Sequence, residues 1–275
     1  MIQPTPPAAT GGSAPAGAEV REGAVRFNAK RRIPLSETVP PHAQHSRLRV
    51  ALAVIALLIV SNIMSNRILP TWAYLPWNLT VAITLVFMAR RAGLGFAGIG
   101  LGFRQWHRPV GVGLILVSLT AFVLALAMSL PVTRDAFLDG RAAGTSTWGM
   151  LYQVLIRIPF GTVVLEEIAF RGVLPALFGA SPSVRWKWKP VLGASALFGL
   201  WHLLPSSALT NGNAAVHDLL NGSAIATTSL AILSTMLLGI VMCWITYLGR
   251  GLKTTMLLHW ATNSLGFVAA WLAVN

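Results

Sequence analysis

Charged side chains are scarce in this sequence, and their scarcity excludes an ordinary soluble domain. Only 11% of the 275 residues are Asp, Glu, Lys or Arg, whereas a soluble domain normally carries about 25%. Hydrophobic residues make up 55%. Apolar runs of roughly 18 or more residues recur, each long enough to cross a hydrocarbon core of about 30 Å as a helix. Because the runs recur, one cleaved signal peptide does not account for them, and the composition indicates a polytopic membrane protein.

Cysteine and acidic residues are also few. The single cysteine, Cys243, excludes a disulfide framework and a CxxC metal site. Eight Asp and Glu residues stand against 21 Lys and Arg, a formal net charge of +13. In a soluble protein this charge would suggest nucleic acid, but here the basic residues lie mainly in the N-terminal tail and between apolar runs. We therefore interpret the charge as a signal for membrane topology and expect no nucleic-acid partner.

The N-terminal segment 1–47 is basic, rich in Pro, Ala and Gly, and without apolar periodicity. Such a segment buries too little apolar surface to offset the entropy lost on ordering, so we predict a disordered cytoplasmic tail. Its basic side chains could contact anionic lipid headgroups; they are Arg21, Arg26, Lys30, Arg31 and Arg32. Residues 48–275 are predicted to form a multi-helix membrane domain in contact with the lipid bilayer.

Seven membrane spans are predicted in that domain. Their approximate limits are 48–66, 73–90, 109–131, 148–178, 189–205, 225–248 and 251–273. All should be helices, because the hydrocarbon core offers no hydrogen-bond partner to an open backbone. The predicted fold class is therefore an all-α polytopic membrane protein with about seven transmembrane helices.

Basic residues occur at every second connection between the predicted spans. These connections contain Arg47, Arg49, Arg90, Arg91, Arg104, Arg108, Arg185, Lys187, Lys189, Arg250 and Lys253. The alternate connections contain Arg67, then Arg134 and Arg141 balanced by Asp135 and Asp139, then Asp218 with His217. Cytoplasmic loops carry the excess of Lys and Arg. The pattern therefore predicts a multi-pass protein of the cell membrane with a cytoplasmic N-terminus and an external C-terminus.

Two acidic residues and two histidines fall inside predicted spans: Glu166, Glu167, His202 and His259. An ionisable group at membrane depth is costly unless it is paired or hydrated, which makes such residues functional candidates. Counted from the cytoplasmic helix ends, Glu166, His202 and His259 lie roughly 18, 20 and 12 Å deep. We therefore expect three helices to bring polar groups to one layer.

Spacing within the helices divides these residues by role. Glu167 and Arg171 are four residues apart, the arrangement that favours an ion pair on one helical face. Glu166 points about 100° away and has no nearby cation on its own helix. Our hypothesis is that Glu167 and Arg171 are structural, while Glu166 is a free general base.

The two histidines each have a partner one helical turn away. His202 follows Phe198 by four residues, and His259 precedes Asn263 by four, so each pair shares a face. One carboxylate, two imidazoles and an amide can activate water and stabilise a tetrahedral oxyanion. Glu166, His202 and His259 are also a ligand set that could hold zinc. Metal-independent activation by Glu and His is the alternative.

Three motifs together resemble one known family. Glu166-Glu167-x-x-x-Arg171, Phe198-x-x-x-His202 and His259-x-x-x-Asn263 are similar to the ordered motifs of the CPBP family, also called the Abi or type II CAAX prenyl endopeptidase family. The resemblance covers about 148–273, the expected catalytic core. It implies an intramembrane endopeptidase, described in the family as a metalloprotease, with a water-filled cavity open toward the cytosol and the bilayer. The eukaryotic members have eight spans, so an eighth is allowed here.

The resemblance also implies a role for each motif residue. Glu166 would activate the attacking water with help from His259, and His202 and Asn263 would stabilise the oxyanion. The supporting residues would be Glu167, Arg171 and Phe198. Eukaryotic members remove the last three residues of prenylated CAAX proteins, so the implied substrate is a membrane-associated peptide or protein, with or without a lipid group.

Two other functions use the same polar residues. A non-proteolytic membrane scaffold or immunity protein of the same family would keep the polar cluster for partner binding. A transporter or ion channel would use the buried Glu and His residues as a proton relay, but the sequence shows no internal repeat of the kind that many transporters have.

Overall fold

The computed structural model describes residues 41–102, 107–140, 142–181, 186–206, 217 and 220–275. Over these ranges the chain forms helices and turns, with no strand. Residues 1–40 of the predicted tail lie outside the described residues. The first helix begins at Pro41, which is inside the segment predicted as tail.

The described residues form nine helices. They are α1 (Pro41–Ile63), α2 (Tyr74–Arg91), α3 (His107–Ser129), α4 (Pro131–Arg134), α5 (Thr147–Leu177), α6 (Trp188–Trp201), α7 (Leu203–Ser206), α8 (Ala224–Gly249) and α9 (Leu252–Val274). A π-helical turn extends α1 over Met64–Ile68, and a 3₁₀ turn, Thr71–Ala73, precedes α2.

Six helices within the described ranges are long and apolar enough to cross a membrane. They cover Ser46–Ile68, Thr71–Arg91, Arg108–Ser129, Thr147–Leu177, Ala224–Gly249 and Leu252–Val274. The predicted span 189–205 is not a single membrane-crossing helix, because α6 has only 14 residues, about 21 Å of helix. No eighth span is found in these ranges.

Proline explains why α6 stops early. Pro205 has no N–H, and its ring clashes with the carbonyl four residues earlier, which belongs to Trp201. The helix ends at Trp201, and the freed carbonyl accepts a hydrogen bond of 2.7 Å from Asn62 Nδ2 of α1. The apolar run continues past this break, so hydropathy alone does not reveal it.

One end of the bundle is closed by the turn that follows α2. The N–H of Leu252, at the start of α9, donates to the carbonyl of Gly100 at 3.0 Å. Near the end of α5, a Cβ on Gly172 would lie only 2.9 Å from the carbonyl oxygen of Ile99, so these backbones touch. Ile99 and Leu252 are fully buried. We call this end the Leu252 face.

The opposite end is marked by Trp271. Its indole N–H donates to the carbonyl of Thr145, just before α5, at 2.7 Å, and we call this end the Trp271 face. Both α5 and α8 end at the Leu252 face, so the chain between them must cross to the Trp271 face before α8 starts. The shorter α6, followed by α7, takes part in this seventh crossing. Backbone without full helical structure is tolerated at such depth where it lines a cavity.

The inner half of α5 is the centre of the fold. Every residue from 165 to 177 is buried, including Glu167 and Arg171. By contrast, α3 exposes large apolar side chains such as Ile115 and Phe122. A helix that is apolar and exposed is expected to face lipid, so α5 is central and α3 peripheral.

The close packing of α6 on α8 gives a first prediction. A Cβ at Gly199 would lie 2.7 Å from the carbonyl oxygen of Ile232, whereas a Cβ at Gly266 in α9 would meet nothing within 4 Å. We expect Gly199→Ala to lower the free energy of unfolding by about 1–3 kcal/mol, because the backbones must separate. Gly266→Ala should be neutral or stabilising by about 0.5–1 kcal/mol. Thermal unfolding of both variants in detergent provides the check, and equal shifts would contradict the packing argument.

Candidate active site

A cavity of about 520 Å³ lies between α1, α2, α5, α6, α8 and α9. Its lining includes the four predicted catalytic residues, Glu166, His202, His259 and Asn263. Three separate parts of the chain therefore bring their polar groups to one space. The cavity wall also includes Arg171 and Phe198 from the predicted supporting set.

Glu167 is fully buried and holds two partners with one oxygen. Its Oε1 lies 2.8 Å from His259 Nδ1 and 3.1 Å from Arg171 Nη1. Buried charge is tolerated only when it is paired, and these contacts supply the pairing. The predicted ion pair with Arg171 is thus present, and the carboxylate in addition binds a histidine from α9.

This contact fixes the proton arrangement of His259. An ionised carboxylate can only accept a hydrogen bond, so Nδ1 of His259 donates to Glu167. In the neutral imidazole, Nε2 is then an acceptor. Nε2 faces Glu166 Oε2 across 3.8 Å, which is too long for a direct hydrogen bond.

Glu166 is buried, with one oxygen engaged and one available. Oε1 accepts a hydrogen bond of 3.0 Å from the indole N–H of Trp201. Oε2 has no hydrogen-bond partner among the described residues. Trp201 thus orients the carboxylate and leaves Oε2 opposite His259. Trp201 is not among the site residues predicted from the sequence, although a Trp beside a motif histidine carries a polar N–H that usually finds a partner.

His202 lies where α6 ends, with its ring held from two directions. Nδ1 is 2.8 Å from the carbonyl of Phe198, and the two rings meet edge to face at 4.7 Å between centroids. A carbonyl accepts only, so Nδ1 donates. Only Nε2 of His202 is therefore available to the cavity. It accepts a hydrogen bond in the neutral ring and donates one in the imidazolium.

Phe198 also contacts the buried cation. The guanidinium carbon of Arg171 lies 3.8 Å from the centre of the Phe198 ring, a cation–π contact. Phe198 thus touches both Arg171 and His202, so one aromatic ring links α5 to the end of α6. Asn263, one turn beyond His259 on α9, has an exposed side chain that reaches the cavity.

Residues 146–265 match the family model for Rce1-like type II CAAX prenyl endopeptidases. This segment is an Rce1-like domain. The match runs from the start of α5 into α9 and includes all seven motif residues, so the family recognised from the motifs is confirmed. Helices α1 to α3 lie outside the match. Comparisons with curated proteins and with solved structures gave no match.

The family and the fold together establish a multi-pass membrane protein of the CAAX-protease type. The Rce1-like segment supplies α5, α6, α7, α8 and most of α9, and it contains every motif residue. Residues outside the segment complete the cavity, among them Tyr74 and Asn78 of α2. Asn78 Nδ2 donates to the carbonyl of Gly161 at 2.8 Å, so α2 is fastened to the Rce1-like part by a buried hydrogen bond.

Arg157 is a cavity residue that sequence reasoning missed. It lies inside the span of α5, stacks on the ring of Tyr74 at 4.3 Å and donates to Gln153 Oε1 at 3.2 Å. No carboxylate pairs with it among the described residues. A basic residue within a predicted span was the available signal, but the predicted site included only acidic residues and histidines from the spans, with Arg171 as a partner.

The side chains as placed do not fit a zinc site. Three ligand atoms would have to lie within about 2.0–2.2 Å of one point. Within the described residues, no group of three or more His, Cys, Asp or Glu side chains could hold a metal ion. His259 Nδ1 is committed to Glu167 and His202 Nδ1 to Phe198. Zinc bound by Glu166, His202 and His259 therefore stays an untested prediction without geometric support.

Elemental analysis tests the metal question directly. For protein purified without chelator, we expect substoichiometric zinc that is equal in the wild type and in a His202→Ala/His259→Ala variant. One zinc per chain, absent from the double variant, would establish a specific metal site instead.

The buried ion pair gives a stability prediction. Arg171→Met leaves Glu167 buried without its cation, so we expect a loss of about 3–5 kcal/mol in the free energy of unfolding. Glu167→Gln/Arg171→Met should recover part of this loss, because neither member of the pair then carries an unpaired buried charge. The exposed Arg91, at the end of α2, provides a control in Arg91→Met. A single Arg171→Met variant as stable as this control, by thermal unfolding in detergent, would argue against the pair.

Proposed function

We propose that the protein is an intramembrane endopeptidase that hydrolyses peptide bonds of membrane-associated proteins. One observation carries the proposal: Glu166 Oε2 and His259 Nε2 face each other across 3.8 Å in the wall of a 520 Å³ cavity. Two buried hydrogen-bond acceptors at this separation repel one another unless something donates to both. Membership of a family described as endopeptidases supports the same reaction.

A water molecule satisfies both acceptors. Placed about 2.8 Å from Oε2 and from Nε2, it donates one hydrogen bond to each and directs a lone pair toward the substrate. Glu166 takes one proton as the water oxygen bonds to the carbonyl carbon. Glu167 keeps His259 in the required tautomer, as the aspartate does in a serine protease triad.

Asn263 and His202 are the proposed oxyanion donors. The carboxamide of Asn263 donates at any pH, whereas His202 donates through Nε2 only as imidazolium, because Nδ1 already donates to Phe198. When the tetrahedral intermediate collapses, the C–N bond breaks and the leaving nitrogen receives the proton held by Glu166. The products are a carboxylic acid and an amine.

The substrate proposed is a peptide segment of a membrane-associated protein, lipidated or not. The cavity is inside a bundle of helices long and apolar enough to cross a membrane, which favours a substrate that is itself held at or in the bilayer. The family description, type II CAAX prenyl endopeptidase, supports a lipidated substrate.

Isosteric replacement of the general base tests the proposal. Glu166→Gln keeps the size of the side chain and one acceptor for Trp201 but removes the base, so cleavage should fall by about 10²–10⁴-fold. The measurement compares the termini of membrane proteins, by mass spectrometry, in cells with wild-type or variant protein at equal abundance. Trp148→Phe, at a position 82% exposed, provides a control that should keep activity.

The outcome separates proteolysis from a scaffold role. Termini that vanish in Glu166→Gln and persist in Trp148→Phe would support hydrolysis and identify substrates together. Identical termini in all three strains, with a cellular phenotype that Glu166→Gln still rescues, would favour a non-proteolytic membrane scaffold.

A further inference from the structure

Arg157 is a cation in the cavity wall that the proposed hydrolysis does not use. It lines the same space as the catalytic residues. The other arginine of the described lining, Arg171, is already paired with Glu167, whereas no carboxylate of the described residues lies within ion-pair distance of Arg157. A charge inside a membrane bundle is costly unless it is paired or hydrated. Arg157 is therefore a binding group with a vacant place for an anion.

Neutral neighbours hold Arg157 in place and leave most of its donors available. Its guanidinium carbon lies 4.3 Å from the centre of the Tyr74 ring, and the Tyr74 hydroxyl shares a hydrogen bond of 3.0 Å with Thr162. Nη1 donates to Gln153 Oε1 at 3.2 Å, the one hydrogen bond that Arg157 makes within the described residues. A guanidinium has five N–H donors in a planar fork. The remaining donors can bind a carboxylate through two parallel hydrogen bonds.

The cavity wall beside Tyr74 is polar but uncharged. Ser65, at the end of α1, donates to Asn78 Oδ1 at 2.9 Å, and both residues line the cavity. Within the described lining, Glu166 is the sole carboxylate. An acidic group of a ligand therefore meets no repelling carboxylate next to Arg157, and the neutral side chains are suited to hydrogen bonds with a peptide backbone.

The position of Arg157 along α5 sets its distance from the catalytic carboxylate. Arg157 precedes Glu166 by nine residues, about 13 Å of helix, and Thr162 precedes it by four, about 6 Å. The guanidinium contacts the Tyr74 ring, whose hydroxyl reaches Thr162. It therefore lies between these limits, roughly 10 Å from Glu166 along the helix. An extended peptide advances about 3.3–3.6 Å per residue, so three residues bridge the two groups.

We propose that Arg157 binds a carboxylate of the substrate, about three residues from the peptide bond that is cleaved. The proposal rests on the proposed function, because it makes Arg157 a specificity residue for that hydrolysis. The carboxylate is supplied by the C-terminus of the substrate or by an Asp or Glu side chain. Both present two oxygens to the guanidinium fork, and peptides that carry neither are bound more weakly.

Retention of peptides tests the proposal without turnover. The protein is the full chain with Glu166→Gln, in lipid nanodiscs, and the probes are mixed-sequence peptides with an N-terminal palmitoyl anchor. The first set lacks Asp and Glu and ends in a free carboxylate. The second set has the same sequences as C-terminal amides, and the third set consists of amides with a single Asp. Mass spectrometry quantifies the peptides that the protein retains.

We expect the carboxylate set to be retained roughly 10–100-fold more strongly than the amides, as for hydrogen bonds between charged groups. Addition of Arg157→Gln should abolish this preference, and Arg157→Lys should keep part of it, because the charge remains and the fork does not. Arg91→Gln, at an exposed position at the end of α2, is the control that should leave the preference unchanged. Retention of the Asp-containing amides at the level of the carboxylate set would show that a side chain also serves as ligand, whereas retention at the level of the other amides would assign the site to a C-terminus.

Equal retention of carboxylates and amides by the chain that keeps Arg157 would overturn the proposal, and this comparison needs no Arg157 variant to fold. A preference that persists in Arg157→Gln would also overturn it, because the cation responsible would then be another one. Cleavage is a separate readout: with Glu166 restored, the bond that is cut should lie about three residues from the carboxylate. A carboxylate preference without any cleavage would contradict the proposed hydrolysis and leave the Arg157 site standing.

Discussion

The buried carboxylate of Glu167 is the group on which the site depends. A charge with no exposed surface inside a membrane protein must be neutralised by its neighbours, and Glu167 does this with Arg171 from its own helix and His259 from α9. Arg171 in turn packs against Phe198 of α6. One carboxylate therefore links three helices, and in doing so it sets the tautomer of His259. The same contacts therefore hold the helices together and orient the His259 side chain.

The irregular segment of α5 around Pro159 also links helices near the site. Pro159 cannot donate a backbone hydrogen bond, so α5 continues through it as a π-helical segment, Gln153–Val163. The carbonyl of Val154 accepts hydrogen bonds from Trp260 and Ser264 of α9 instead. π-Helical segments are common at functional sites. Since lipid offers no partner for a freed carbonyl, each break must be met by a neighbouring helix, and the break thereby fastens α9 beside the acidic pair.

The sequence predicted the fold class and the residues around the cavity because both follow from one-dimensional quantities. Hydropathy gives the spans, and helical rise gives the depth of Glu166, His202 and His259. Hydropathy and helical rise do not determine the rotation of each helix about its axis or the packing between helices. The contact of His259 with Glu167 and the hydrogen bond from Trp201 depend on both, so they could not be predicted from the sequence. The early end of α6 depends on one proline within an apolar run, where composition does not change. Arg157, by contrast, could have been predicted as a site residue from the sequence, because it is a basic residue inside a predicted span.

Hydrolysis inside a membrane also requires tight apolar packing on at least one side of the hydrated site. Water must reach Glu166 for a peptide bond to be cut, but a water path through the whole bundle would conduct ions and protons across the bilayer. Burial of Ile99 and Leu252 places apolar side chains on one side, which dewet such a path. The turn that follows α2, although outside the Rce1-like segment, therefore supplies part of this apolar packing, because Ile99 lies against α5 and Gly100 accepts the hydrogen bond from Leu252.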